Sequence, residues 1–60
     1  MKLVDFYSPT TNEKILVNRN EIVYIKRSDI YRNATSIFFS TGEWLTIKGN
    51  LDEINKKIQE

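Results

Sequence analysis

With neither histidine nor cysteine in its 60 residues, this chain leaves general-base and metal-ligand roles to eight carboxylates: Asp5, Glu13, Glu21, Asp29, Glu43, Asp52, Glu53 and Glu60. Catalysis needs a nucleophile with a base, a metal, or a tuned carboxylate pair held in a water-poor cleft. These carboxylates are scattered, and the adjacent Asp52 and Glu53 are already accounted for by helix capping. The two glycines fall in a turn and at a strand-to-helix break, so there is neither a Gly-rich phosphate loop nor an acidic calcium loop. A few short strands and one helix leave little room for a deep pocket. The inventory points away from an enzyme, and away from a cofactor, a metal or a small-molecule substrate.

The elements that must position any binding residues are clearest from Thr35 to Gln59. T-S-I-F-F and E-W-L-T-I-K are rich in Ile, Phe, Trp and Thr, which suit a pleated, half-buried surface, and Gly42 supplies the positive φ of a tight hairpin. Gly49 then breaks the strand. Asn50 and Glu53 have the spacing of a capping box, while Leu51, Ile54 and Ile58 form one helical stripe over residues 51–59. The hairpin loop has two possible lengths. A three-residue Ser40-Thr41-Gly42 loop puts Ile37, Phe39, Leu45 and Ile47 on one face and Phe38, Trp44 and Thr46 on the other. A two-residue Thr41-Gly42 turn exchanges the faces, because a slip of one residue inverts every side chain. The three-residue loop is favoured, since it offers the helix an aliphatic surface.

Upstream, strands are expected at about 2–8, 14–17 and 22–27, ahead of those at 35–39 and 43–48. Pro9 ends the first, and the short spacing to the second suggests an antiparallel hairpin. Asn18-Arg19-Asn20-Glu21 reads either as a capping box, with Asn18 accepting from the Glu21 amide, or as a plain polar turn. I-V-Y-I-K is the most continuously apolar strand and suits a central position covered on both faces, with Val23 or Ile25 in the core. The loop from Arg27 to Asn33 is the longest irregular piece, and loops carry function more often than strands do. The fold class expected is α+β: an antiparallel meander of four to five short strands with one C-terminal α-helix packed on one face, forming a single small domain.

A domain this small buries only about 60% of the surface its unfolded chain exposes. Without disulfides or zinc, the core or a subunit interface must supply the stability. No apolar run approaches a membrane span, and M-K-L-V-D-F lacks the apolar core of a signal peptide, so a cytoplasmic protein without membrane contact is expected. The net charge of +1 gives no strong field of either sign.

Two surfaces remain as binding candidates. One helix covers one face, which leaves Phe38 and Trp44, with Tyr24 or Tyr7, on the other, and such a patch marks a protein interface, first of all with a second copy of the chain. Alternatively the N-terminal hairpin folds over the patch and seals it. The second surface is basic: Lys14, Arg19, Lys26, Arg27 and Arg32 outnumber Glu21 and Asp29 between residues 14 and 36. Lys26, Arg27, Arg32 and Asn33 would there contact nucleic acid, Arg and Asn being residue types that read phosphates and base edges; the alternative is an ordinary solvated face.

The runs I-L-V-N-R-N-E-I-V-Y-I-K-R-S-D and R-N-A-T-S-I-F-F-S-T-G-E-W-L-T-I-K-G-N-L-D-E-I-N-K-K-I resemble the first half of LytTR-type DNA-binding domains of bacterial response regulators. The shared layout is an aliphatic strand, a short turn, an I-x-Y-I strand, a polar loop ending near Asn, a hairpin and a G-x-L-x-E helix. It is also similar to small flagellar regulatory proteins of the FlbD/SwrD type, which match this chain better in length. The similarity covers residues 15 to 58. The LytTR family's second half, with its aromatic-arginine-histidine strand, is absent here. The first resemblance implies DNA contact through a loop falling on Ser28, Asp29, Arg32 and Asn33. The second implies a small cytosolic accessory protein acting by contact with another protein. A bacterial or phage regulatory protein is expected, and an inhibitor that binds a larger enzyme would look identical in sequence.

Overall fold

The computed structural model describes residues 3–60, and these form β1 (Leu3–Tyr7), β2 (Lys14–Asn18), β3 (Ile22–Arg27), β4 (Ala34–Phe39), β5 (Trp44–Lys48) and a C-terminal helix, α1 (Leu51–Gln59). Lys2, included in the expected first strand, lies outside the described residues. Every strand pair is antiparallel, in two sheets: β1-β2 and β3-β4-β5. The fold is the expected α+β arrangement, with the ladder broken between β2 and β3. The break has a local cause. A 3-10 turn over Arg19–Glu21 redirects the chain, and the β1-β2 pair crosses the inner face of the larger sheet instead of extending it.

That inner face is the core. Ile37 and Ile47, on β4 and β5, are fully buried against Val4, Phe6 and Val17 from the β1-β2 hairpin and Ile54 from α1. Their register follows from the turn: Phe39 N donates to Glu43 O at 2.9 Å, Gly42 N donates to Phe39 O at 3.0 Å, and Gly42 sits at φ +93°. This is the three-residue loop, and it pairs Ile37 with Leu45 inside and Phe38 with Trp44 outside.

The joint between β5 and α1 is built from polar contacts that the core cannot replace. Asn50 N donates to Glu53 Oε1 at 3.0 Å and Glu53 N to Asn50 Oδ1 at 2.8 Å, the expected capping box, which satisfies two otherwise orphan amides. Gly49 lies at φ +121°, so the joint needs glycine for its backbone, and a Cβ there would crowd Ile54 Cδ1 at 3.0 Å. The buried Thr35 hydroxyl donates to Gly49 O at 2.9 Å, and Gly49 N donates to Asn33 O at 2.8 Å. At the far end Arg19 Nη1 donates to Ile58 O at 2.9 Å, placing a cation on the negative end of α1 and occupying one of its orphan carbonyls.

Two expectations are corrected, the central place of β3 and the burial of Leu51, and two open alternatives are decided, Val23 or Ile25 in the core and a capping box or a plain turn at residues 18–21. β3 is an edge strand, and β4 is central. A bulge between Ile22 and Tyr24 makes Val23 an extra, 62% exposed residue, while Ile22 and Ile25, three apart, both pack on the core. Apolar continuity in I-V-Y-I therefore reflects the bulge and not cover on both faces. Leu51 is exposed beside Arg27 and Asp52 at the rim, because the first residue of α1 precedes the turn that reaches the sheet. At the 3-10 turn Asn18 accepts from Asn20 N at 3.1 Å instead of Glu21 N, since a 3-10 turn is tighter than the α turn a capping box requires. The Glu21 carboxylate instead accepts from the Ser40 hydroxyl at 2.6 Å.

Ile54 joins helix, hairpin and sheet at one point and is 4% exposed. A carboxylate there is desolvated at a cost of several kcal/mol, comparable with the roughly 5 kcal/mol that holds a small domain together. Ile54→Asp is accordingly expected to abolish the cooperative thermal transition followed by circular dichroism; a melt like that of the parent would refute the docking of α1.

Candidate functional site

Because α1 and the β1-β2 hairpin both lie against the inner face, neither covers the outer face of β3-β4-β5. The sealing alternative is thereby removed: Val4, Phe6 and Val17 pack on Ile37, Ile47 and Ile54, not on the aromatic rings. The outer face presents Tyr24, Phe38 and Trp44, one from each strand, in directly paired positions.

The three rings form a ladder. Tyr24 and Phe38 stack with centroids 4.4 Å apart and planes 11° from parallel; Phe38 and Trp44 stack at 5.9 Å and 23°. A centroid spacing near the distance between strands means that the rings stand upright on the sheet, side by side. Tyr24 and Trp44 remain 52% and 53% exposed, while Phe38 between them is half-buried. Tyr7, the other aromatic considered, belongs to the hairpin and lies near Lys57, whose Nζ is 5.9 Å from its ring.

Beside the ladder, on the same face, Lys26 pairs with Ser36 and Ser36 with Thr46. Lys26 Nζ lies 5.6 Å from the Phe38 ring centroid. The loop after β3 is held by Ser28, whose Oγ accepts from the amides of Ile30 and Tyr31 at 3.1 Å, and by Asn33 in the left-handed region at φ 53°. This loop brings Ser28, Asp29 and Ile30 to the ladder: with Lys26, Ser36, Phe38 and Trp44 they line an open groove of about 230 Å³. Sequence reasoning did not assign Ile30 to this face, since its position depends on the loop's turn and no periodicity reports it.

The basic set is not brought together. Lys26 is on the outer face; Arg27, paired with Thr35, lies on the opposite one, beside Asn50, Leu51 and Asp52. Arg32 is exposed on the loop, and Asn33 contributes backbone geometry to the β5-α1 joint. Among the described residues no group of three or more carboxylates is close enough to hold a metal ion, and no helix is long and apolar enough to cross a membrane. A second groove, of about 260 Å³, lies between β2 and the β4-β5 turn, lined by Ile15, Leu16, Phe39, Leu45, Glu21 and Glu43 among others. It arises from the crossing of the two sheets, which no local pattern encodes.

Stacked pairs of this kind contribute about 0.5 to 1.5 kcal/mol each. Phe38→Ala removes both stacks and is expected to lower stability by about 1 to 3 kcal/mol in thermal or urea denaturation; a loss below about 0.5 kcal/mol would show that the rings are not coupled. Compared with known protein families, with curated proteins and with solved structures, the chain matches none.

Proposed function

We propose that this chain is a small, non-enzymatic binding module of the cytoplasm that acts through protein contacts, its first partner being a second copy of itself. The contact surface is the outer face of the β3-β4-β5 sheet, with Tyr24, Phe38 and Trp44 at its centre. A role as an inhibitor or accessory factor of a larger protein would use the same surface. The observation that carries the reading is a contiguous row of three rings on a sheet face that the subunit's own helix and hairpin leave bare. Aromatic residues are enriched at interface centres, and a bare apolar patch is the usual mark of one.

Ring orientation favours protein over nucleic acid. Sheets that bind single strands offer ring faces on which bases stack. Here both faces of Phe38 and one face each of Tyr24 and Trp44 are taken up within the ladder, which leaves less ring face for base stacking than three separate rings would offer. The separation of Lys26 from Arg27 onto opposite faces also weakens the case for a continuous phosphate track.

Sedimentation or light scattering of the parent against Trp44→Ser tests the reading. The parent is expected to associate and Trp44→Ser to remain monomeric with an unchanged fold; a parent that is monomeric at all accessible concentrations would remove the proposed interface. Titration with mixed-sequence duplex at two salt concentrations is expected to give no appreciable binding at either. Binding that weakens steeply as salt rises would transfer the function to phosphate recognition by Lys26, Arg27, Arg32 and Asn33.

A further inference from the structure

We infer that the self-associated form is a twofold pair oriented by Lys26, Asp29 and Ile30, in which Ile30 of each copy enters the groove of the other and Lys26 of each faces the partner's Asp29. This rests on the self-association reading and names the residues that orient it. Ile30 is 72% exposed, more than any other large hydrophobic residue described, and it stands at the lip of the groove that runs along Phe38 and Trp44. A twofold contact sets one patch against itself after a half turn, so the patch must carry both the projection and the recess that receives it. This face carries both.

Its charges have the same property. Lys26 and Asp29 line the one groove, both are exposed, and the ion pair found among the described residues, Lys14 with Asp5, involves neither. A surface holding one charge of each sign can pair with its own rotated copy, whereas a groove of a single sign would repel it. A polyanionic partner would meet the Asp29 carboxylate beside the Lys26 ammonium. A stable interface takes roughly 800 Å² from each partner, about a fifth of the 4406 Å² surface here.

The test is a charge exchange read by sedimentation velocity, with thermal melts to confirm folding. Lys26→Asp and Asp29→Lys each set like charges opposite one another twice per pair and are expected to weaken association about tenfold or more. Mixed in equal amounts, the two variants restore both opposite-charge contacts, and association is expected to return to near the parent's. Single variants that associate like the parent, or a mixture as weak as its components, would overturn the orientation while leaving the interface in place. A parent that never associates would overturn both. If either reversal fails to fold, Ile30→Ser carries the test, because it removes the projection without altering a strand; unchanged association would then overturn the inference.

Discussion

A single backbone turn decides which half of this molecule is core and which is surface. The Ser40-Thr41-Gly42 loop, with Gly42 at φ +93° and Phe39 and Glu43 bonded across it, sets β4 against β5 so that Ile37 and Ile47 look one way and Phe38 and Trp44 the other. In a pleated ladder there is no intermediate arrangement: a shift of one residue would put Phe38 and Trp44 on opposite faces, and Ile37 and Ile47 likewise. The inner cover is matched to this choice. Ile54 has little more room than Gly49 allows it, and Phe6 and Val17 fill the remainder.

Much of this was legible in local pattern because the interactions are local. N-x-x-E after a glycine specifies the Asn50-Glu53 box without reference to the rest of the chain, and the hairpin carries its own turn residue. Where the reading failed, the deciding contact was distant or irregular. Apolar continuity left Val23 or Ile25 as the core residue, and a bulge, which adds a residue without changing composition, decides it: Val23 turns out while Ile22 and Ile25 both pack inward. Leu51 fits the helical stripe as well as Ile54 does, but a stripe gives direction around the axis and says nothing about where along it the sheet ends. The Arg19–Glu21 turn, where the two sheets part, is also tied to Ile58 O by a contact spanning 39 positions, which no local pattern reports.

The aromatic face was anticipated from a covering argument, one helix for one side, and the structure places its cover as that argument requires, with the hairpin added to the same side. What the argument lacked was the groove. Ser28 organises its loop through two amide contacts, and the result is that Asp29 and Ile30 join Lys26 and the ladder, turning an apolar stripe into a patch with charge at its edge. The residues singled out for nucleic acid were neighbours in sequence, and alternation along β3 was bound to divide Lys26 from Arg27.

Stacking also changes what association at this face would cost. Free surface side chains lose rotamer freedom when an interface closes, by about 0.5 to 1.5 kcal/mol for each one immobilised. Tyr24, Phe38 and Trp44 already hold one another in register across three strands, so much of that ordering accompanies the folding of the sheet. The ladder thus has two physical consequences: it strengthens a small sheet that has no cysteine for a disulfide brace, and it holds its exposed rings in a fixed arrangement. A pre-ordered apolar face offers a partner a larger share of its burial energy than the same rings would if they moved independently, and this is the physical ground for reading the ladder as a contact surface as well as a brace.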